Sequence, residues 1–209
     1  MIKQDFGYIP LNVANGIREF SIANPGKIAI IDGNRSISYR ELDIRSSQVA
    51  NYFISKGFKK GDRVAVISGN RMEYPEIVAG LSKAGLIAVL VNPRSVSREV
   101  EYFIRHSGSK GAIIESSLVP LVENYIFETS VEQILTMDSD DFGLDYEKTI
   151  KSQEKYDPFV FVDEREPFKI CYTSGTTGEP KGITISHRSR CLVFMATALE
   201  WGLGPDKTT

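Results

Sequence analysis

Six consecutive apolar residues, Leu86-Ile-Ala-Val-Leu-Val91, stop abruptly at Asn92-Pro93. A strand with one wet face alternates apolar and polar side chains. An unbroken run is apolar on both faces and belongs inside a parallel sheet covered by helices. The run is strand-sized and far short of the roughly 20 residues needed to cross a membrane. Arg63 to Ile67, Ala112 to Ile114 and Ile134 to Met137 read as further buried strands. Helical spacing fills the gaps. One helix is expected from Asn70, read as its cap, to about Ala84, and another from about Ser97 to near Gly108. This alternation predicts an α/β fold, a parallel-rich sheet flanked by helices and joined by right-handed crossovers.

The chain before Arg63 carries different signals. Lys27 to Ile31 is β-prone, Asp32-Gly33-Asn34 is a turn signal, and Ser36-Ile37-Ser38 follows, so a β-hairpin is expected. Ser38-Tyr39-Arg40-Glu41 has the Ser-x-x-Glu form of a capping box, in which each side chain satisfies the other residue's backbone N–H. Behind it Leu42, Val49, Ala50, Phe53 and Ile54 keep helical spacing up to a stop at Gly57.

Charge and cysteine usage exclude several function classes. Twenty-five Lys and Arg against 27 Asp and Glu leave a net charge of −2, no bulk positive field for nucleic acid. Cys171 and Cys191 form no CxxC pair, and His106 and His187 are the only histidines. Neither a disulfide framework nor a Cys/His zinc site is expected. The start, Met1-Ile2-Lys3-Gln4-Asp5, has no signal-peptide core, so the expected location is the reducing cytoplasm. Residues 138–168 hold ten acidic and four basic side chains, a local −6. This acidic connecting segment is expected to be a solvated loop with one short helix.

The chemistry concentrates between Lys169 and Ile185. Three glycines within eight positions, Gly175, Gly178 and Gly182, let backbone N–H groups converge on a ligand. Thr173, Ser174, Thr176 and Thr177 add hydroxyl donors, and Lys181 adds a mobile positive charge. Phosphate oxygens need that combination. A Walker A loop is excluded, because Gly175 and Gly178 are too close together and Pro180 precedes the lysine. Ile183-Thr184-Ile185 reads as a strand, so Tyr172 to Gly182 is expected to be an exposed loop joining two strands. Composition alone leaves a phosphate cradle and a flexible surface hairpin both open.

The segment Tyr172-Thr-Ser-Gly-Thr-Thr-Gly-Glu-Pro-Lys-Gly182 closely resembles the signature loop of the adenylate-forming superfamily. That group includes acyl-CoA synthetases, aryl-CoA ligases, luciferases and the adenylation domains of peptide synthetases. Ser38-Tyr39-Arg40-Glu41-Leu42 is similar to its early helix-start motif, and Leu81-Ser-Lys-Ala-Gly85 running into Val91-Asn92-Pro93 is similar to its second. Asn92-Pro93-Arg94 with the following helix is more like the acyl- and aryl-CoA synthetases. Members of the group are much longer. The resemblance therefore implies that residues 1–209 are the N-terminal portion of an AMP-binding (adenylation) domain. The adenine, ribose and metal motifs, and the C-terminal lid domain with its catalytic lysine, would lie beyond it.

What the resemblance implies is a two-step ligation. A carboxylate attacks the α-phosphorus of Mg-ATP to give acyl-AMP and pyrophosphate, and the CoA thiol then displaces AMP. ATP, Mg2+, CoA and a small fatty or aryl acid are the implied cofactors and partners. Thr173, Ser174, Gly175, Thr176, Thr177 and Gly178 are assigned by resemblance to phosphate contact, and Lys181 to loop positioning or charge. No catalytic residue is assigned. Glu179 is expected to face solvent, His187 to cap or lie on the surface, and Cys171 to pack inertly in a buried strand. Arg94 is expected to form a surface or structural salt bridge, with a CoA phosphate as the alternative. Phe194 and Trp201 read as core or as uncovered surface. Two alternatives to a CoA synthetase are a peptide-synthetase adenylation domain and a non-catalytic phosphate-binding module. The 209 residues alone are expected to hold ATP weakly and make no acyl-AMP, and their glycine loop to be mobile without ligand.

Overall fold

A computed structural model describes residues 10–173 and 179–204. The chain opens with α1 (Asn15–Ala23), β1 (Ile28–Asp32), β2 (Arg35–Ser38) and α2 (Tyr39–Ser55). Strands and helices then alternate through β3 (Arg63–Ile67), α3 (Glu73–Lys83), β4 (Ile87–Val91), α4 (Ser97–Ser107) and β5 (Gly111–Glu115). After two short 3-10 turns come β6 (Gln133–Met137), β7 (Leu144–Asp145) and α5 (Tyr146–Lys151). The last described elements are β8 (Pro167–Thr173), β9 (Lys181–Ser186) and α6 (His187–Glu200).

Among the described residues β1 and β2 form the expected hairpin, and seven strands form one sheet in the order β7-β6-β5-β3-β4-β8-β9. Every neighbouring pair in that sheet is parallel except β8 and β9. The pleat sorts the apolar strands as their lack of alternation requires. Val64, Val66, Ala88, Ile113 and Leu135 pack with Val49, Phe53, Ile77 and Leu81 of α2 and α3 on one face. Ala65, Ile67, Val91, Ala112 and Ile114 pack with Val100, Phe103 and Ile104 of α4 on the other. A strand buried on both faces leaves its side chains no wet direction.

Local signals set the helix bounds. The Ser38–Glu41 capping box forms, with the Ser38 N–H donating to Glu41 Oε2 at 2.7 Å and the Glu41 N–H to Ser38 Oγ at 3.2 Å. Asn70 caps nothing: α3 begins at Glu73 behind Met72, without a side-chain cap. Gly80 lets α3 lie against α2, because a Cβ there would stand 2.5 Å from Val49 Cβ and 2.6 Å from the Ser46 carbonyl oxygen.

The acidic segment is not simply a solvated loop. It contributes the short strand β7 and the expected short helix α5, and it buries Tyr146, Ile150 and Val162. The Tyr146 hydroxyl donates to Glu76 Oε1 at 2.8 Å, and Arg45 grips the same carboxylate at 2.6 and 2.7 Å. Asp157 accepts from Arg18 at 2.6 and 3.1 Å and lies 3.4 Å from Lys83 Nζ, a lysine with no exposed side-chain surface. Lys83 also donates to Asp43 at 2.6 Å and to Ser47 at 2.8 Å. Burial opposes ionisation of Asp157, but Arg18, the Phe159 N–H and Lys83 outweigh it and hold the carboxyl below its ordinary value. The excess acid is thus partly consumed in tying the segment to α1, α2 and α3.

Candidate functional site

Strand order places the site. α3 follows β3 on one face of the sheet, while α4 and the turns after β5 lie on the other, so the chain leaves β3 one way and its two neighbours the opposite way. Diverging connections open a crevice at the carboxyl ends of the strands, where open α/β sheets bind ligands. A cavity of about 550 Å³ lies there, lined by Ser68, Gly69 and Asn70 after β3, Tyr74 of α3, and Leu90 to Arg94 at the end of β4. Asn92, Pro93 and Arg94 are exposed at its mouth. Glu115, at the end of β5, accepts from the Gly69 N–H at 3.0 Å and from Ser117 at 2.9 Å. Those bonds, with the Gly69 N–H the largest cause, hold its carboxyl below the usual range. Further along the same edge Arg71 bridges Glu73 and Asp138, at 2.6 Å each.

The glycine-rich segment emerges beside this crevice. Leu90 of β4 pairs with Cys171 of β8, so β8 runs on to Thr173 next to the loop that carries Arg94. β9 returns antiparallel, with Thr173 opposite Lys181 and Tyr172 opposite Gly182. Tyr172, Thr173, Lys181 and Gly182 are therefore strand residues rather than loop, because the ladder continues as far as the Thr173–Lys181 pair among the described residues. Ser174, Gly175, Thr176, Thr177 and Gly178, and the expected mobility of their loop, lie outside the described residues. A strand follows Lys181 where a Walker-type loop would place a helix. Thr173, Glu179 and Lys181 are exposed, and Lys181 makes no ion pair among the described residues. The hairpin thus presents a hydroxyl and an uncommitted ammonium group on facing strands, the donor and charge that an anion needs.

Other sequence candidates change role. Arg94 forms no ion pair among the described residues, so the structural salt bridge expected for it is not there. His187 starts α6 but is 1% exposed, not a surface residue. Its Nδ1 accepts from the Val13 N–H at 3.3 Å, while Ser186 is the residue that caps, accepting from the Ser189 N–H at 3.2 Å. Burial pushes the imidazole down to about 4 against a smaller opposing effect of Glu166. Cys171 is half-buried rather than enclosed. Burial, and to a lesser extent Cys171, push the Tyr74 phenol up. Phe194 and Trp201 are 63% and 70% exposed and belong to no core. Ser68 and Gly69 line the crevice without any local sequence signal, and Asn70 signals only a helix cap, since the strand order alone brings them beside Arg94.

The sheet is open and mostly parallel, with a crevice and an exposed Thr173–Lys181 pair at its carboxyl edge, the place where α/β sheets of this kind bind ligands. The family model described as AMP-binding enzyme matches residues 18–209, and the chain belongs to that family. A medium-chain fatty-acid–CoA ligase of Ectopseudomonas oleovorans is 29% identical over 170 residues, which cover 77% of this chain and 31% of that protein. A medium/long-chain-fatty-acid–CoA/3-oxocholest-4-en-26-oate–CoA ligase of Mycolicibacterium smegmatis is 33% identical over 185 residues, 85% of this chain and 33% of that protein. In fold, a solved long-chain-fatty-acid–CoA ligase of Archaeoglobus fulgidus superposes with a TM-score of 0.85 at 24% identity, covering 94% of this chain and 41% of that one. The chain spans about a third of the length of the curated relatives it matches. No helix among the described residues is long and apolar enough to cross a membrane.

Proposed function

We propose that this chain supplies the phosphate-contacting part of an ATP-dependent acyl-CoA synthetase. In that reaction a carboxylic acid and ATP give acyl-AMP and pyrophosphate, and CoA then releases AMP as the acyl thioester forms. The observation that carries the proposal is the Thr173–Lys181 strand pair at the carboxyl edge of the sheet, the two residues that flank the Gly- and Thr-rich segment in sequence. A substrate carboxylate, with a pKa of about 4–5, is already ionised at neutral pH, so activation needs little acid–base help. The obstacle is an anion approaching a polyanion, and the remedy is positioning and charge neutralisation. Thr173, Ser174, Gly175, Thr176, Thr177 and Gly178 are proposed to contact the phosphates, with Lys181 as the charge beside them. Mg2+ enters with ATP as part of the substrate. Arg94, exposed at the crevice mouth and without an ion pair among the described residues, is a further cation and is proposed to meet a phosphate of CoA. The names of the curated relatives favour a fatty acid and CoA as acceptor.

Carboxylate-dependent ATP–pyrophosphate exchange tests the proposal, run on this chain and on any longer polypeptide that carries it. The 209 residues alone are expected to give no exchange, because the relatives use three times as much chain. In the longer polypeptide Lys181→Ala should lower exchange about 10- to 100-fold, the loss of one charged hydrogen bond, with thermal stability unchanged. Unchanged exchange in Lys181→Ala and Thr173→Ala would remove the hairpin from the mechanism.

A further inference from the structure

β9 has little packing of its own. Lys181 to Thr184 are exposed, and its outer edge meets no other strand among the described residues. One side chain grips the hairpin from beneath. The Tyr172 ring stacks on Phe103 of α4, with centroids 4.2 Å apart and planes 18° from parallel. Tyr102 meets it edge-on at 6.1 Å. The Tyr172 hydroxyl lies 2.8 Å from His106 Nδ1 and 3.4 Å from the Phe103 carbonyl oxygen. Tyr102 in turn stacks on the His106 ring at 5.2 Å, which holds the imidazole plane. Across the strand pair stands Gly182, where a Cβ would come within 3.3 Å of the Tyr172 ring and 3.2 Å of Ile170 Cγ2. Glycine at that position leaves the ring its place between β9 and α4.

We infer that Tyr172 is the positioning residue that holds the Thr173–Lys181 pair at the carboxyl edge of the sheet, and that His106 acts through the tyrosine hydroxyl. Thr173 follows Tyr172 directly and Lys181 precedes Gly182 directly, so the proposed phosphate contact and the charge beside it each stand one peptide bond from the clamp. The stack sets the depth of the ring, and the hydroxyl bond sets its direction. With Nδ1 unprotonated the hydroxyl donates to it, and one oriented bond removes the sliding freedom that an aromatic stack alone would leave. His106 belongs to α4, and Tyr172 is bound to it and to Phe103 of the same helix, so their part is placement of the strand pair. The inference rests on the phosphate role proposed above for the hairpin, and its test is built to separate the two.

The test uses three variants of the 209-residue chain. Tyr172→Phe keeps the stack and removes the hydroxyl. His106→Ala removes the partner. His106→Asn puts an amide oxygen close to where Nδ1 stood. Two measurements are made on each: amide hydrogen exchange, and the Kd for inorganic pyrophosphate. Exchange at residues 181–184 should quicken about 3- to 10-fold in Tyr172→Phe and His106→Ala, the size expected for one net hydrogen bond. It should return towards the parent rate in His106→Asn and stay unchanged in β3, β4 and β5. Pyrophosphate should weaken by a similar factor in the first two variants and recover in the third. Unchanged exchange in both Tyr172→Phe and His106→Ala overturns the inference, and so does a quickening spread over the whole sheet, which would mean lost global stability. If the parent chain binds no measurable pyrophosphate, the phosphate role is decided by the Lys181→Ala and Thr173→Ala exchange assays in the longer polypeptide, and local amide exchange alone decides the anchoring.

Discussion

β3 and β9 belong to one sheet and are held in opposite ways. Val64, Ala65, Val66 and Ile67 of β3 have no exposed surface, with strands on both sides and helices on both faces. β9 is exposed from Lys181 to Thr184 and pairs with one strand among the described residues. Burying a Val or Ile side chain is worth about 1.5–3 kcal/mol, so β3 is secured by its own composition. β9 has to be secured by a few specific contacts at Tyr172 and His187. The difference separates two tasks. The scaffold gains from every buried methyl group, whereas a surface that meets a charged ligand has to stay wet and carry groups that the core would reject.

The largest expected effect lies on the scaffold side. Arg45→Ala should cost about 3–5 kcal/mol in urea denaturation, because it strands a Glu76 carboxylate whose side chain is 1% exposed. Burial already pushes the Glu76 carboxyl up, against Arg45 and Tyr146, and loss of the guanidinium should push it further. A cost under about 1 kcal/mol, the value typical of an exposed pair, would show that the core helices do not depend on this network.

Next comes pH, which probes the buried root of the hairpin–helix unit. His187 is pushed down to about 4 by burial, while an unfolded histidine titrates near 6.5. Between those values the unfolded chain binds the extra proton, so stability is complete above about 6.5 and falls as pH drops to about 4, by about 3 kcal/mol. Glu147, held down to about 2 chiefly by Arg45, loses its contribution only at lower pH. Glu76, raised by burial, acts with the opposite sign. The readout is therefore the difference between the parent and His187→Gln across pH 4–6.5. Equal slopes in the two proteins would show that His187 is not buried neutral.

Smaller effects sharpen the contrast. Gly80→Ala should cost about 1–3 kcal/mol by calorimetry, since its Cβ meets backbone at Ser46 and the core at Val49. Lys181→Ala should move stability by no more than about 0.5 kcal/mol, because its side chain is exposed and unpaired among the described residues. A large loss there would mean that the hairpin is structural in the same sense as β3.

Much of this contrast is already written along the chain. Leu86 to Val91 announces a strand buried on both faces, and Ser38 with Glu41 announces a helix start, because each depends on neighbours within a few residues. The spacing of Gly175, Gly178, Pro180 and Lys181 excludes a Walker loop for the same reason. Where local signals mislead, a distant partner is responsible. Asn70 offers a cap, but α3 starts three residues later, where Glu73 meets Arg71 and Arg35. Asp157 looks solvated within an acidic stretch, yet its partner Arg18 lies 139 residues away. His187 looks like a surface helix start until Val13 and Phe168 enclose it.

By itself the sequence determined the α/β class, most of the strands and the hairpin before α2, and it showed that glycines, hydroxyls and one lysine gather between Thr173 and Lys181. All of these rest on periodicity, turn residues and side-chain type, which act over one or two turns of chain. Tertiary structure alone decided that β3 lies between β4 and β5, that Ser68 to Asn70 therefore share a crevice with Arg94, and that Tyr172 rests between Gly182 and His106. Those contacts join residues far apart in the chain. Their energy is realised only when the whole sheet has assembled, so no local stretch of sequence displays them.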